Sequence, residues 1–327
     1  MRSLLASKLP PSFRPGLATE AGSVSIPFRL PARRLASAAV LASFVLAIVL
    51  ARRPVAESFD RLRALDPLPL VLGATAIVVA LAASAGAWRC ALRSGGARIG
   101  RRAAWGCYGV GSLANAVLPA RLGDAVRVGL YASFLDRPNR HRLSGGACLA
   151  VATARAVVYV LLCAGAASVG LLPGWLLAAP PVLAAVLLVA FARLRRRASG
   201  RPAGLGLLAE LSPGTGAALL GWAGLAASAR IAAAVGILSG LDVAHPLRAA
   251  FVGLTALAAA GTLPLAPGGA GVAGAGMALA LVRSGVSPST AVAAAIAFHA
   301  VETVASLVFG VSGWIALRTT GARPSTS

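Results

Sequence analysis

Arg121, Asp124 and Arg127 stand three residues apart in the stretch from Ser112 to Tyr131, an apolar run broken at Pro119 and Gly123. On a helix the i, i+3, i+6 spacing gathers them toward one face, so Asp124 can pair with either arginine. One guanidinium is then left without an acidic partner. A surplus guanidinium beside a helix break suits a phosphate, which it can hold through two parallel hydrogen bonds. The same residues also suit an amphipathic interfacial helix whose arginines snorkel to lipid headgroups. Asn115, one turn before the break, fits a helix–helix hydrogen bond as well as a site contact.

Four further groups fall inside apolar sequence. Arg155 and Arg230 are flanked by alanine and other small residues that allow close helix packing. Each either points into a bundle interior or snorkels from a span end. His299 and Glu302 share a face at i, i+3 and read as a hydrogen-bonded pair that counters an arginine, or as a proton relay. The acids are Glu20, Glu57, Asp60, Asp66, Asp124, Asp136, Glu210, Asp242 and Glu302. So few, and so spread, they argue against a multi-ligand metal centre and against a catalytic carboxylate pair. Cys90, Cys107, Cys148 and Cys163 show no CxxC spacing and read as packing residues. No metal and no cofactor is expected.

The elements that must hold these groups are those of a membrane protein. Of the 327 residues 58% are hydrophobic and only 12% charged, about half the charge of a soluble domain at about 25%, and the mean hydropathy is +0.81. The formal net charge of +22 comes almost wholly from arginine. These arginines cluster between apolar runs, which suits loops facing anionic lipid rather than a nucleic acid. An aromatic content of 5% offers little for base stacking. Membrane lipids with anionic headgroups are therefore the expected partners, and no nucleic acid.

Residues 1–34, basic and rich in proline, read as a disordered cytoplasmic arm. A single membrane domain follows over 35–318, with halves at 35–171 and 172–318, and a tail at 319–327. Spans are expected at 35–51, 67–88, 147–171, 175–192, 214–237 and 287–317. The first could be mistaken for a signal-peptide core, but its basic lead and the later spans make it a retained anchor. Two regions are too short to span and end at Pro/Gly breaks: 104–118 followed by 124–135, and 251–263 followed by 270–282. They read as re-entrant helical hairpins, tolerable at membrane depth when buried in protein or lining a cavity. The fold class is thus all-α and polytopic, about six transmembrane helices plus two re-entrant hairpins. Segments 89–103, 136–142 and 193–213 are strongly basic, whereas loop 52–66 nearly balances its charges. With the N-terminus cytoplasmic, every strongly basic segment falls inside, as expected of an inner-membrane protein. The halves then have opposite orientation. An inverted repeat with interrupted helices in matching positions places a substrate site where the breaks meet.

The run Asn115-Ala-Val-Leu-Pro-Ala-Arg-Leu-Gly-Asp-Ala-Val-Arg127 resembles the N-x-x-[LF]-P-x-R-x-G-E-x-x-R motif of the lysylphosphatidylglycerol synthase transmembrane, or flippase-like, family. Leu263-Pro-Leu-Ala-Pro-Gly-Gly-Ala-Gly-Val272 resembles its second motif, a Pro-Gly-Gly-x-Gly stretch usually followed by Glu. Arg155 is placed like the arginine of the family's E-R-x-x-D segment. The likeness covers about 35–318, so the soluble aminoacyl-transferase domain of some members is not expected. The chain departs from the pattern at Asp124, where Glu is usual, at Gly274 and Val158, where acids are expected, and at His299, where arginine is common. Without those carboxylates, a cationic headgroup is a poorer substrate than an anionic or neutral lipid.

These readings converge on a protein that binds and translocates a phospholipid or lipid-linked headgroup. The expected substrate contacts are Asn115, Arg121, Asp124, Arg127, Arg155, His299 and Glu302. Pro119, Gly123, Pro267, Gly268, Gly269 and Gly271 supply the breaks. A membrane transferase using a polyprenyl-phosphate donor would need an acid at the water interface. Asp60 and Asp66 are the external-loop pair, and they form no D-D or D-x-D motif. An accessory subunit without its own substrate is the third reading.

Overall fold

The computed structural model describes residues 52–63, 65–117, 122–135, 138–178, 181–182, 184–186, 189, 212–260 and 270–319. Nine α-helices are delimited among the described residues, with no strand: α1 Arg52–Arg63, α2 Pro67–Ser94, α3 Arg101–Val117, α4 Leu122–Ser133, α5 Arg140–Ser168, α6 Pro213–Gly240, α7 Pro246–Ala260, α8 Ala270–Arg283 and α9 Pro288–Thr319. A 3₁₀ turn, Gly174–Ala178, follows α5. Four helices, α2, α5, α6 and α9, are long and apolar enough to cross a bilayer. At 1.5 Å per residue, 28 residues reach about 42 Å, more than the ~30 Å hydrocarbon core. The chain is a multi-pass membrane protein of all-helical class.

Expected spans and observed helices differ mainly at their ends. The apolar run 67–88 continues as helix to Ser94, carrying Arg89 and Arg93, and 147–171 is preceded by helix from Arg140. Backbone hydrogen bonding does not stop at the membrane surface, so an apolar run underestimates its helix. The expected loop 52–66 instead contains α1. Its Val55, Phe59 and Leu62 recur at helical spacing, and Ser58 is fully buried. Asp66 then caps α2, its Oδ1 accepting from Leu68 N at 3.0 Å ahead of Pro67. The span expected at 35–51, and all of 179–192 but a few positions, lie outside the described residues.

α2 and α6 form the most extensive helix pair, and α3 with α9 the next. Alanine dominates the first seam: Ala80 and Ala83 meet Ala226 and Ala229, and Ile77, Leu81 and Trp88 join Ala233, Ala234 and Ile237 in the main core. With no hydrophobic drive between helices in lipid, such small residues let dispersion and backbone contact hold the pair. The second seam is glycine on glycine. A methyl on Gly109 would sit 2.7 Å from Phe309 O and 3.3 Å from Gly313 Cα, and one on Gly313 would sit 3.2 Å from Gly106 Cα. Trp105 stacks at a tilt on Phe309, centroids 4.1 Å apart, and donates from Nε1 to Ser312 Oγ at 3.4 Å. Helices α3 and α4 pack together, as do α7 and α8, while the connections 118–121 and 261–269 lie outside the described residues.

Two glycines separate the close-packing account from one based on propensity. Gly109→Ala should lower stability by about 1–3 kcal/mol, because backbone atoms of α9 must move. Gly129→Ala on α4, where nothing lies within 4 Å of an added methyl, should raise it by about 0.5–1 kcal/mol. Thermal unfolding of the purified protein in detergent measures both. Equal melting of Gly109→Ala and wild type would remove the seam.

Candidate functional site

The polar groups of the apolar interior gather on one face of α3. Tyr108, Gly111, Ser112 and Asn115 follow i, i+3, i+4, i+7 and so line a single stripe. α4 lies against that stripe, and two glycines set the distance. A methyl on Gly111 would overlap the Arg127 side chain, and one on Gly123 would overlap Gly111 O and the Asn115 amide. Only glycine at both places lets α4 bring Arg127 across α3.

Arg127 is the best-held side chain of this junction, 5% exposed. Its Nη1 donates to Asp124 Oδ1 one turn earlier on α4. Its Nη2 donates to Ser112 Oγ at 2.9 Å, and its guanidinium lies 4.2 Å above the Tyr108 ring. Ser112 Oγ in turn donates to Tyr108 O at 3.0 Å. Asp124, by contrast, keeps 52% of its side chain exposed. The ion pair expected between Asp124 and an arginine is therefore present, and Arg127 is the partner. Two buried polar atoms have no hydrogen-bond partner among the described residues, Arg127 Nε and Asn115 Oδ1. Both belong to this α3–α4 junction.

Tyr108 is the hub. It is 2% exposed, packs edge-on against Phe309 with centroids 6.3 Å apart, and its hydroxyl accepts from Arg155 Nη2 of α5 at 2.9 Å. The charges of Arg127, Arg155 and Arg230 all act on it. Tyr131 of α4 stands beside it, stacked on Trp88 at 4.7 Å and donating to Ala104 O at 2.8 Å. This aromatic floor holds α4 against α2 and α3.

On the other side, Arg230 of α6 donates from Nη2 to Glu302 Oε1 of α9 at 3.1 Å, with 21% and 27% of the two side chains exposed. Glu302 thus counters an arginine as expected, without His299 as its hydrogen-bonded helper. His299 is half-buried one turn away and makes no hydrogen bond or ion pair among the described residues. Among the described residues, Arg127 and Arg230 each have a carboxylate partner. Arg155 has the Tyr108 hydroxyl.

The other expected positions divide cleanly. Pro119, Arg121, Pro267, Gly268 and Gly269 lie outside the described residues. Gly271 is exposed in the first turn of α8, and neither it nor Gly274 would bring an added methyl within 4 Å of any other atom. Sequence reasoning missed Tyr108, Gly111 and Ser112. The available signal was their helical spacing with Asn115, a polar stripe inside an otherwise apolar helix. For Arg230, sequence leaves open a place in the bundle interior or a snorkelling one, and the structure pairs it with Glu302.

The sequence compares with known proteins in one respect. The family described as the lysylphosphatidylglycerol synthase TM region matches residues 34–310, a range that includes the α3–α4 junction, Arg155, Arg230 and Glu302. No curated protein matches the chain.

Removing one member of the Arg230–Glu302 pair leaves a lone charge at membrane depth. Arg230→Met should therefore destabilise the protein by about 2.5–3.5 kcal/mol, the cost of such a charge at a helix centre. Adding Glu302→Leu should restore most of the loss, because both charges then disappear together. A double-mutant cycle on thermal unfolding in detergent checks it. Additive losses would show that the two side chains do not depend on each other.

Proposed function

Because the chain belongs to the lysylphosphatidylglycerol synthase TM region family, we propose that it binds and translocates a phospholipid or lipid-linked headgroup whose phosphate meets Arg155. The observation that carries this is the charge balance of the interior. Arg155 sits in an apolar span with no carboxylate partner among the described residues, where a lone charge costs about 2.5–3.5 kcal/mol. A bound phosphate offsets that cost with charge-assisted, bidentate hydrogen bonds. The unpartnered Arg127 Nε and Asn115 Oδ1 add a donor and an acceptor close to the break after α3. Arg127 itself is already committed to Asp124, Ser112 and Tyr108, so it orients the junction. Arg121 and the two Pro/Gly breaks complete the site in this reading.

The same reading makes the molecule an inverted repeat of six spans and two re-entrant hairpins in an inner membrane, N-terminus cytoplasmic. Its support is the pairing of helices. α2 meets α6 as symmetry partners, α2–α3 is matched by α6–α7, α4–α5 by α8–α9, and α2–α9 by α6–α5. The close α3–α9 seam has only a slight counterpart between α7 and α5. The second hairpin is the less tightly held, which suits it to move while the first anchors the charges. A transferase reading would draw on Asp60 and Asp66. Asp60 instead faces Arg63 at 3.7 Å, and Asp66 caps α2.

In proteoliposomes, translocation of a fluorescent phospholipid should fall tenfold or more in Arg155→Gln, in line with the roughly 1.5–3 kcal/mol of a hydrogen bond to a charged group. Arg155→Lys should keep an intermediate rate, since it retains charge without the planar fork. Wild-type rates in Arg155→Gln would overturn the assignment.

A further inference from the structure

A cavity of about 340 Å³ lies far in sequence from the α3–α4 stripe, where α1, the α6–α7 connection and the α8–α9 connection meet. Its volume is that of a small-ligand pocket. Its polar lining includes Arg61, Asp242, His245, Arg248, Ser287 and Thr290. It shares no residue with the central cluster. Arg61 comes from the loop read as external, and the other polar residues come from the α6–α7 connection and the starts of α7 and α9, so the fold gathers distant segments into one polar hollow.

The charges there are poorly matched. Arg61 donates from Nε to Ser289 Oγ at 3.2 Å, and this is its one hydrogen bond among the described residues. The bond engages Nε and leaves both terminal nitrogens without a partner among the described residues. Arg248, in the first turn of α7, has no hydrogen bond or ion pair among the described residues. Asp242 is the one acid of the lining, yet it pairs with neither arginine. It is held at φ 55°, a left-handed conformation that Asp and Asn adopt more readily than most side chains. Helices α7 and α9 both begin at this cavity, with Ser287 Oγ accepting from Thr290 N at 3.4 Å. Two positive helix ends therefore add to two arginines.

We propose that this cavity is a second anion site, which takes a phosphate group between Arg61 and Arg248. Arg61 and the first-turn Arg248 supply the forked donors, and His245 adds a ring nitrogen. Asp242 opposes the anion and weakens its binding. A lipid headgroup and free phosphate offer the same chemistry here. A headgroup station on this face would lie at the open end of the α7–α8 pair, the less tightly held of the two helix pairs.

The test is calorimetric titration of the purified full chain in neutral detergent, with inorganic phosphate and with dihexanoyl phosphatidic acid. Binding should be measurable in the millimolar range or tighter, and Arg61→Gln/Arg248→Gln should weaken it tenfold or more. Asp242→Asn should tighten it several-fold. Asn tolerates the same backbone conformation, and a purely structural role for Asp242 would not produce a gain. Arg248→Lys should bind at an intermediate level, and melting temperatures of all variants confirm folding. Tighter binding of the lipid than of phosphate identifies a headgroup site, and equal binding identifies a site for phosphate itself. No binding to wild type, or wild-type binding by the double variant, overturns the proposal.

Discussion

The structure depends on how an arginine is kept inside a hydrocarbon-spanning bundle. A guanidinium cannot be deprotonated to escape the low dielectric, so each one must find compensation within reach of its own helix. The chain meets that demand in three ways. Arg230 has a carboxylate from another helix, and Arg127 has a carboxylate from its own helix, a hydroxyl and an aromatic face. Arg155 has only a phenol. Tyr108 links these solutions, because one residue offers its ring to Arg127 and its hydroxyl to Arg155. The central cluster is thus built by graded neutralisation, with Arg155 its least neutralised member among the described residues.

That gradation requires close backbone approach, which is why glycine marks both sides of α3. One side carries Gly106 and Gly109 against Gly310 and Gly313 of α9, which locks α3 into the bundle. The other carries Gly111 against Gly123 of α4, which admits the Arg127 side chain. α3 is therefore a plate fixed on one face and charged on the other. A larger residue at Gly111 would push the arginine away from Tyr108, and one at Gly109 would push α3 away from α9. Packing and electrostatics are here one constraint.

Much of this was legible from residue order. The membrane class followed from composition, the long helices from apolar runs, and the Asp124–arginine pair from i, i+3 spacing. What stayed hidden has physical reasons. Helix ends in membrane proteins extend past the apolar run, so Ser94 and Arg140 lay outside the expected boundaries. α1 is amphipathic and short, and a nearly balanced charge pattern reads as loop as easily as helix. Tyr108 and Ser112 escaped notice because their importance lies in contacts with α4 and α5, 15 to 47 residues away. Arg127 and Arg121 looked interchangeable as partners of Asp124. Only the burial of Arg127 against α3 shows that one of them serves as scaffold.

The position of acid residues gives the two halves different work. The first helix pair keeps an acid beside its break, so Asp124 fixes Arg127 and the junction stays closed. The second pair has Gly274 where an acid would stand, with open space around it. Arg248 of α7 lines a cavity at its mouth, together with His245 and Asp242. A pair without an internal ion pair, and with little contact to α5, has less to hold it in place than its counterpart. If both pairs were pinned by buried charges, neither could rearrange without stranding one. Among the described residues Arg127 and Asp124 pin the α3–α4 junction, and no such tie joins α7 to α8, so a rearrangement of α7 and α8 would strand fewer charges.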